Sequence, residues 1–321
     1  MLRDGYLTSD LRAAGEQAAR LEADGFDGAF TAETSHDPFL PIVAAAAATE
    51  RMQLGTGIAV AFARSPMTTA NTARDLNEFS EGRFILGLGS QIKPHITKRF
   101  SMPWSAPAAR MKDFIEALHA IWTAWDTGEP LRHKGERYTH TLMTEFFDPG
   151  PAKHGRPDVY LAAVGPMMLK VCAEVSDGWL VHPFITPGYM EDEALPTLHA
   201  AIDEAGRQRS DVSVSLPVFV VSGDTEEEVA KRDATIRQQI GFYGSTPAYA
   251  KVLDHHGWND AHVELNSLTK QGRWGELASV IDDEILRTFA VVAEPADVPA
   301  EIDRRYGHLA DRISVYADTP G

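Results

Sequence analysis

One cysteine, Cys172, stands among 321 residues, so no intrachain disulfide can form and nothing points to an oxidising compartment. Its neighbours Leu169, Val171 and Ala173 read as the face of a helix, which favours a buried structural thiol over a nucleophile. Long apolar runs are missing as well. The longest, Leu40 to Ala48, is too short to span a bilayer and contains Pro41. Met1-Leu2-Arg3-Asp4 lacks the basic-then-apolar pattern of a signal peptide, so a cytoplasmic location is expected. Basic residues are scarce: 30 Lys and Arg face 46 Asp and Glu, a formal net charge of −16. A field of that sign repels nucleic acid and anionic membranes, and neither is expected as a partner. It leaves room for an anionic cofactor, because backbone donors and a few local bases can hold phosphate against the global field. Also absent are the Gly-x-Ser-x-Gly elbow, His-Glu-x-x-His and Cys-x-x-Cys, so those hydrolase, metal and redox chemistries have no support and no metal is expected.

What is present is core and alternation. Hydrophobic residues make up 44 % of the chain and charged residues 24 %, the balance of a folded globular protein. Short β-rich runs alternate with helical patterns, which marks βαβ units and a parallel sheet. The length suits an α/β fold of the (β/α)8 TIM barrel type with insertions, read as one domain over 1–321. The expected strands are Asp4–Leu7, Phe26–Ala32, Gln53–Ala61, Arg83–Gly89, Val159–Ala163, Gly178–His182, Val212–Val221 and Asp311–Ala317. Ser9 is expected to cap the first helix and Ser65-Pro66 to open another that stops at Gly82. From about Ala106 to Asp126 a helix places Met111, Phe114, Ile115, Leu118, Trp122 and Trp125 on one face, read as core packing. A polar excursion from Gly128 to Gly155 suggests a hairpin or loop. The helical stretch from Thr225 to about Glu294 is too long for one crossover and implies an insertion.

Active sites of such barrels lie at the C-terminal ends of the strands, so chemistry is read from the residues just past each one. After the second strand come Glu33, Thr34, Ser35, His36 and Asp37. His36 has the acid–base range to take a proton as hydride leaves an alcohol carbon, with Asp37 or Glu33 to orient it. Ser35 or Asp37 could equally cap the helix beginning near Pro38. Gly55 and Gly57 leave the third strand nearly bare, suited to the approach of a flat ring, to a bulge or to a close contact with a neighbouring helix. Gly87-Leu88-Gly89-Ser90-Gln91-Ile92 lacks the third glycine and the prompt helix of a dinucleotide loop. Beyond it Lys93, His95, Lys98 and Arg99 form a basic cluster that could receive an anionic tail or simply be solvated. Ala162-Ala163-Val164-Gly165-Pro166-Met167-Met168 turns directly into a helix whose free N–H groups can bind phosphate. His182, before Pro183-Phe184, is placed either to line the pocket or to serve as a structural hydrogen-bonding group. His255-His256 is read as a surface pair in a polar turn.

These positions together resemble the luciferase-like monooxygenase superfamily, in its coenzyme F420-dependent oxidoreductase branch of actinobacterial type. The match is carried by Thr34-Ser35-His36-Asp37-Pro38-Phe39-Leu40-Pro41, Leu54-Gly55-Thr56-Gly57, Gly82-Arg83-Phe84-Ile85-Leu86-Gly87-Leu88-Gly89 and Lys98-Arg99-Phe100-Ser101-Met102-Pro103-Trp104. Ala162-Ala163-Val164-Gly165-Pro166, Asp177-Gly178-Trp179 and Phe242-Tyr243-Gly244-Ser245-Thr246-Pro247 complete it. Each motif is short; their order over nearly the whole chain gives the resemblance its weight. It implies F420, or FMN as the alternative, stacked on a strand-three bulge with a non-proline cis peptide at or near Gly57-Ile58. It implies also a channel lined by Gly89, Ser90 and Gln91, a phosphate tail at the Gly165–Met168 turn, and His36 near the reactive carbon. Sugar-phosphate-oxidising relatives have Asp-His before the aromatic and an acid after the strand-four glycines. Here the order is His36-Asp37-Pro38, and Ser90, Gln91 and Lys93 replace the acid. A more apolar pocket is therefore expected, with Phe39, Trp104, His182 and Phe184 near a small organic substrate. The alternatives to F420-dependent hydride transfer are an FMN-dependent monooxygenase and a barrel that binds deazaflavin without catalysis. A homodimer is compatible with all three.

Overall fold

The computed structural model describes residues 1–316. Eight strands form the barrel: β1 (Leu2–Tyr6), β2 (Gly28–Thr31), β3 (Gln53–Thr56), β4 (Phe84–Gly89), β5 (Asp158–Ala162), β6 (Gly178–Leu180), β7 (Ser213–Val221) and β8 (Arg312–Val315). Each pairs in parallel with the next, and β8 pairs with both β7 and β1, so the ring is closed. Closure leaves no free barrel edge. Strand limits differ from the expected ones by a residue or two, except at the third. There the expected run Gln53–Ala61 breaks after Thr56, and Ala59–Val60 pairs separately with β4. Ala317, expected in the last strand, lies outside the described residues.

The barrel interior is filled by large side chains set against glycines. Phe30, Ile85 and Tyr160 pack together inside, with Leu180 against them. A Cβ on Gly55 would stand 2.4 Å from Phe30, and one on Gly178 would stand 2.6 Å from Tyr160. Gly55 thus makes room for a neighbouring strand's ring, where the close-contact reading expected a helix. Deeper in, Arg312 of β8 donates to both carboxylate oxygens of Asp4 of β1, Nε at 2.9 Å and Nη2 at 2.6 Å. Both side chains are buried, so the bidentate geometry offsets their loss of water.

Around the strands lie α1 (Leu11–Ala23), α2 (Leu40–Ala48), α3 (Pro66–Phe79), α4 (Pro107–Thr127), α5 (Pro166–Val175), α6 (Leu195–Glu204) and α7 (Glu226–Gly244). The cap of α1 is Asp10, which accepts the Arg12 N–H at 2.9 Å, and not Ser9; two cap-competent residues adjoin and the carboxylate takes the position. Ser65 caps α3 as expected, accepting the Thr68 N–H at 3.2 Å. The six residues predicted on the inner face of α4 are all buried. Cys172 on α5 is buried too, and burial pushes its thiol up to about 12, the opposite of an activated nucleophile. The 128–155 excursion carries a small hairpin, His133–Lys134 with Thr139–His140. After α7 the expected insertion folds as α8 (Ala250–His255), α9 (Asn259–Lys270) and α10 (Asp283–Phe289), before α11 (Val298–Tyr306) leads into β8. It has its own apolar core, where Leu253, Leu265, Leu277 and Phe289 gather against Phe184 and Phe219. No helix among the described residues is long and apolar enough to cross a membrane.

Candidate active site

The break in the third strand is a bulge at the barrel mouth. The Gly57–Ile58 peptide is cis, and neighbouring groups hold both of its sides. Gly57 N–H donates to Thr31 O at 2.6 Å, and Glu33 N–H donates to Ile58 O at 3.1 Å. The Glu33 carboxylate accepts the Val60 N–H at 2.7 Å and Arg64 Nη1 at 2.6 Å. Arg64 also reaches Asp37 at 3.3 Å. Strand β4 makes room beneath. A Cβ on Gly87 would stand 1.7 Å from the Thr56 carbonyl oxygen, and one on Gly89 would stand 2.6 Å from Ile58 Cδ1. The Gly-x-Gly of this strand therefore serves close backbone packing.

Two cavities open around the strand ends. The barrel-mouth cavity, of about 300 Å³, is lined by Gly57, Ile58, Phe30, Tyr6, Gln91 and Ala162 among others. Gln91 sits at its edge with φ +57°, a conformation that non-glycine residues adopt sparingly. The second cavity, of about 410 Å³, lies between the α5 turn and the insertion, against Gly165, Trp179, Phe184, Tyr189 and Tyr249. The two meet at Val164, Val181 and His182, which line both.

The tyrosines near this junction are held protonated. Burial raises Tyr6 and Tyr243 above the ordinary phenol value, and Tyr249 to about 12. Tyr6 OH lies 3.2 Å from Ser314 Oγ, and Tyr243 OH lies 2.7 Å from Tyr316 OH. His182 is driven the other way: burial lowers its pKa to about 4.

The predicted site residues divide among these features. Gly57, Ile58, Gln91 and Ala162 line the barrel-mouth cavity with Glu33 and Thr34; Gly89 packs beneath Ile58, and Ser90 is half-buried beside Gln91. Ala163, Gly165 and Pro166 line the second cavity. Met168 is half-buried and Met167 is 76 % exposed, so the α5 turn forms an outer rim. Gly165 has φ +78°, and α5 begins without a side-chain cap, which leaves its first N–H groups available. Glu33 and Asp37 do not converge on His36. Glu33 fastens the bulge, and Asp37 accepts the Phe39 N–H at 2.9 Å and the Leu40 N–H at 3.3 Å, starting α2. His36 is exposed and outside both linings. Phe39 is buried under Arg64, and Trp104 packs edge-on against Phe62 at 5.8 Å; neither lines either of these two cavities. His182 and Phe184 do. Of the basic cluster, Arg99 donates to the Thr34 carbonyl and so reaches the mouth. His255 and His256 are not a surface pair. Both are half-buried; His255 lies 3.4 Å from Asp192 and His256 lies 2.8 Å from Thr186 Oγ1. The sequence reading missed Tyr6, Ser215, Tyr249 and Ser314. Tyr6 and Ser314 sit at C-terminal strand ends, a signal that was open to use. Among the described residues no group of side chains could hold a metal ion.

Comparison with known proteins completes the description. The chain is 49 % identical over 310 residues to an uncharacterized protein of Mycobacterium tuberculosis, covering 97 % of this chain and 91 % of that one. It is 28 % identical over 291 residues to the 5,10-methylenetetrahydromethanopterin reductase of Archaeoglobus fulgidus, covering 88 % and 82 % of the two chains. In fold it is similar to the coenzyme F420-dependent tetrahydromethanopterin reductase of Methanopyrus kandleri, with a TM-score of 0.80, 20 % identity, and 99 % and 93 % of the chains covered. The profile described as luciferase-like monooxygenase matches residues 3–312, and the chain belongs to that family.

Proposed function

We propose that this oxidoreductase exchanges a hydride between coenzyme F420 and a small organic substrate. The observation that carries the reading is the bulge at Gly57–Ile58, an almost bare backbone surface at the barrel mouth facing a cavity of about 300 Å³. A flat ring can lie on such a surface because Gly57 offers no side chain, with nothing nearer than 3.6 Å to the Cβ it lacks. The Methanopyrus kandleri reductase, whose name specifies F420, supports the choice of cofactor. Bound there, F420 supplies the two-electron hydride chemistry that no side chain of the protein can provide.

Gly57 and Ile58 would form the platform, Gly89, Ser90 and Gln91 the side of the channel, and Ala162, Ala163 and Val164 the opposite edge. The N–H groups of Gly165, Met167 and Met168 would meet the anionic tail on the outer rim, where the helix dipole favours phosphate. Pro166 presets the first turn. The barrel walls orient the substrate and exclude water. His36 follows the cavity-lining Thr34 by two residues but lies outside both cavities, so in this reading it exchanges a proton with the substrate through intervening water at the barrel mouth. His36→Ala is expected to lower turnover while F420 affinity stays unchanged; equal turnover removes His36 from the mechanism.

The deciding experiment is parallel fluorescence titration of cofactor-free protein with F420 and with FMN. Selective F420 binding is expected. Selective FMN binding would overturn the proposal in favour of an oxygen-using monooxygenase.

A further inference from the structure

The junction between the cavities is built around His182, whose ring is fixed on three sides. Nδ1 accepts the Phe184 N–H at 3.1 Å, so the proton of the neutral ring sits on Nε2. Tyr249 stacks on one face with centroids 4.4 Å apart, and Tyr243 meets the ring at right angles, 4.7 Å away. The hydrogen bond at Nδ1 is the ring's only one among the described residues. Nε2 is not among the polar atoms sealed in without a partner, so it opens onto the space the ring lines. Burial alone lowers the ring's pKa, to about 4, so this edge remains an N–H donor at neutral pH.

The second cavity suggests what the donor meets. Its walls include Leu169, Trp179, Phe184, Ile185 and Val252, which suit hydrocarbon. Its charged groups are Glu193 and Asp254 against Lys251, with His255 already beside Asp192. Two carboxylates against one amine disfavour an anionic guest. On the hydride-transfer reading given above, we propose that His182 is a positioning residue that donates from Nε2 to the acceptor oxygen of a neutral, apolar substrate. The substrate's apolar body occupies the second cavity and its reacting carbon faces the barrel mouth. The cofactor's anionic tail passes outside, over the exposed α5 rim.

Acetophenone, a neutral apolar molecule with one acceptor oxygen, is the probe. Its binding to F420-loaded protein is followed through the ¹H–¹⁵N resonances of the histidine side chains. The His182 signal is expected to keep the neutral Nε2–H pattern from pH 8 to pH 5 and to shift as acetophenone binds. His182→Phe, which keeps a flat ring but no donor, is expected to weaken acetophenone binding about tenfold. His182→Gln, which restores a donor, should recover most of that loss, and both variants should bind F420 as the wild type does. A ring titrating near 6.5, a signal unmoved by bound acetophenone, or equal binding by His182→Phe overturns the proposal. So does a stronger response to glycerol phosphate than to acetophenone. Failure to bind F420 would instead overturn the cofactor reading, and the same titration on cofactor-free protein would still test the donor.

Discussion

The two cavities share a histidine but are made of different material. The barrel-mouth cavity owes its bulged wall to backbone, with Gly57–Ile58 clamped by main-chain hydrogen bonds and by Glu33, over glycines that admit no Cβ. Side chains make the second: Trp179 and Phe184, from β6 and just beyond it, and Tyr249, about seventy residues on, form an apolar wall. A backbone surface can receive a ring of fixed shape and tolerates little change. A side-chain wall can be recut residue by residue without moving the barrel. On the proposed function, the difference separates a cofactor half from a substrate half within one cleft.

The sharpest way to break this contrast is a single methyl group on each side. Gly87→Ala would force a Cβ to within 1.7 Å of the Thr56 carbonyl oxygen, and is expected to cost about 3 kcal/mol in denaturant unfolding and to abolish F420 binding. Gly188→Ala, outside the second cavity but against its lining His255, meets nothing nearer than 3.5 Å. It should leave stability within about 0.5 kcal/mol of wild type. Similar losses from both would erase the distinction. Glu33→Gln comes next. The amide oxygen can still accept the Val60 N–H, but Arg64 loses its nearer charged partner, at 2.6 Å, and keeps only Asp37 at 3.3 Å. A loss of about 1–2 kcal/mol is expected, with weaker F420 binding and unaltered acetophenone binding to cofactor-free protein.

Acid separates the regions by a smaller step. Burial holds His182 near 4 in the fold, against an ordinary value of 6.5, and His119 on α4 is lowered likewise to about 4. Between those values the unfolded chain binds more protons than the folded one, so stability falls as pH drops from about 6.5 to about 4 and is retained above. His182→Phe should flatten the slope in that window, read by thermal unfolding at each pH. The smallest effect belongs to the outer rim. Met167→Ala should change neither stability nor F420 affinity, because the side chain is 76 % exposed. Met167→Pro removes one N–H in the first turn, where proline is tolerated, and should weaken F420 binding about fivefold.

Much of the scaffold was legible in the sequence because its causes are local. Buried parallel strands show as short apolar runs between turn residues, and the period of α4 displays its inner face directly. The bulge was legible through Gly57 together with the family resemblance. What escaped depends on partners distant in sequence. Glu33 looked like an aid to His36 because they are neighbours in the chain, yet its carboxylate turns to Val60 and Arg64, about thirty residues on. His182 could be read as pocket lining or as a structural group, and the fold gives it both tasks. Its setting needs Tyr243 from the end of α7 and Tyr249 from the start of the insertion, both more than sixty residues on. The histidine pair at 255–256 looked exposed for the same reason, since Asp192 and Thr186 reach it from another loop.

The buried pairing of Asp4 with Arg312 also carries a consequence for how the protein is made. Asp4 leaves the ribosome 308 residues before its partner Arg312. Until β8 emerges, β1 has an open edge and the Asp4 carboxylate lacks the guanidinium that allows its burial. Helices and neighbouring strands can form during synthesis, but the ring closes only through contacts of the greatest sequence separation. While those 308 residues are made the nascent barrel therefore remains an unclosed sheet, the period in which strand-edge association with other chains, and protection by chaperones, would count most.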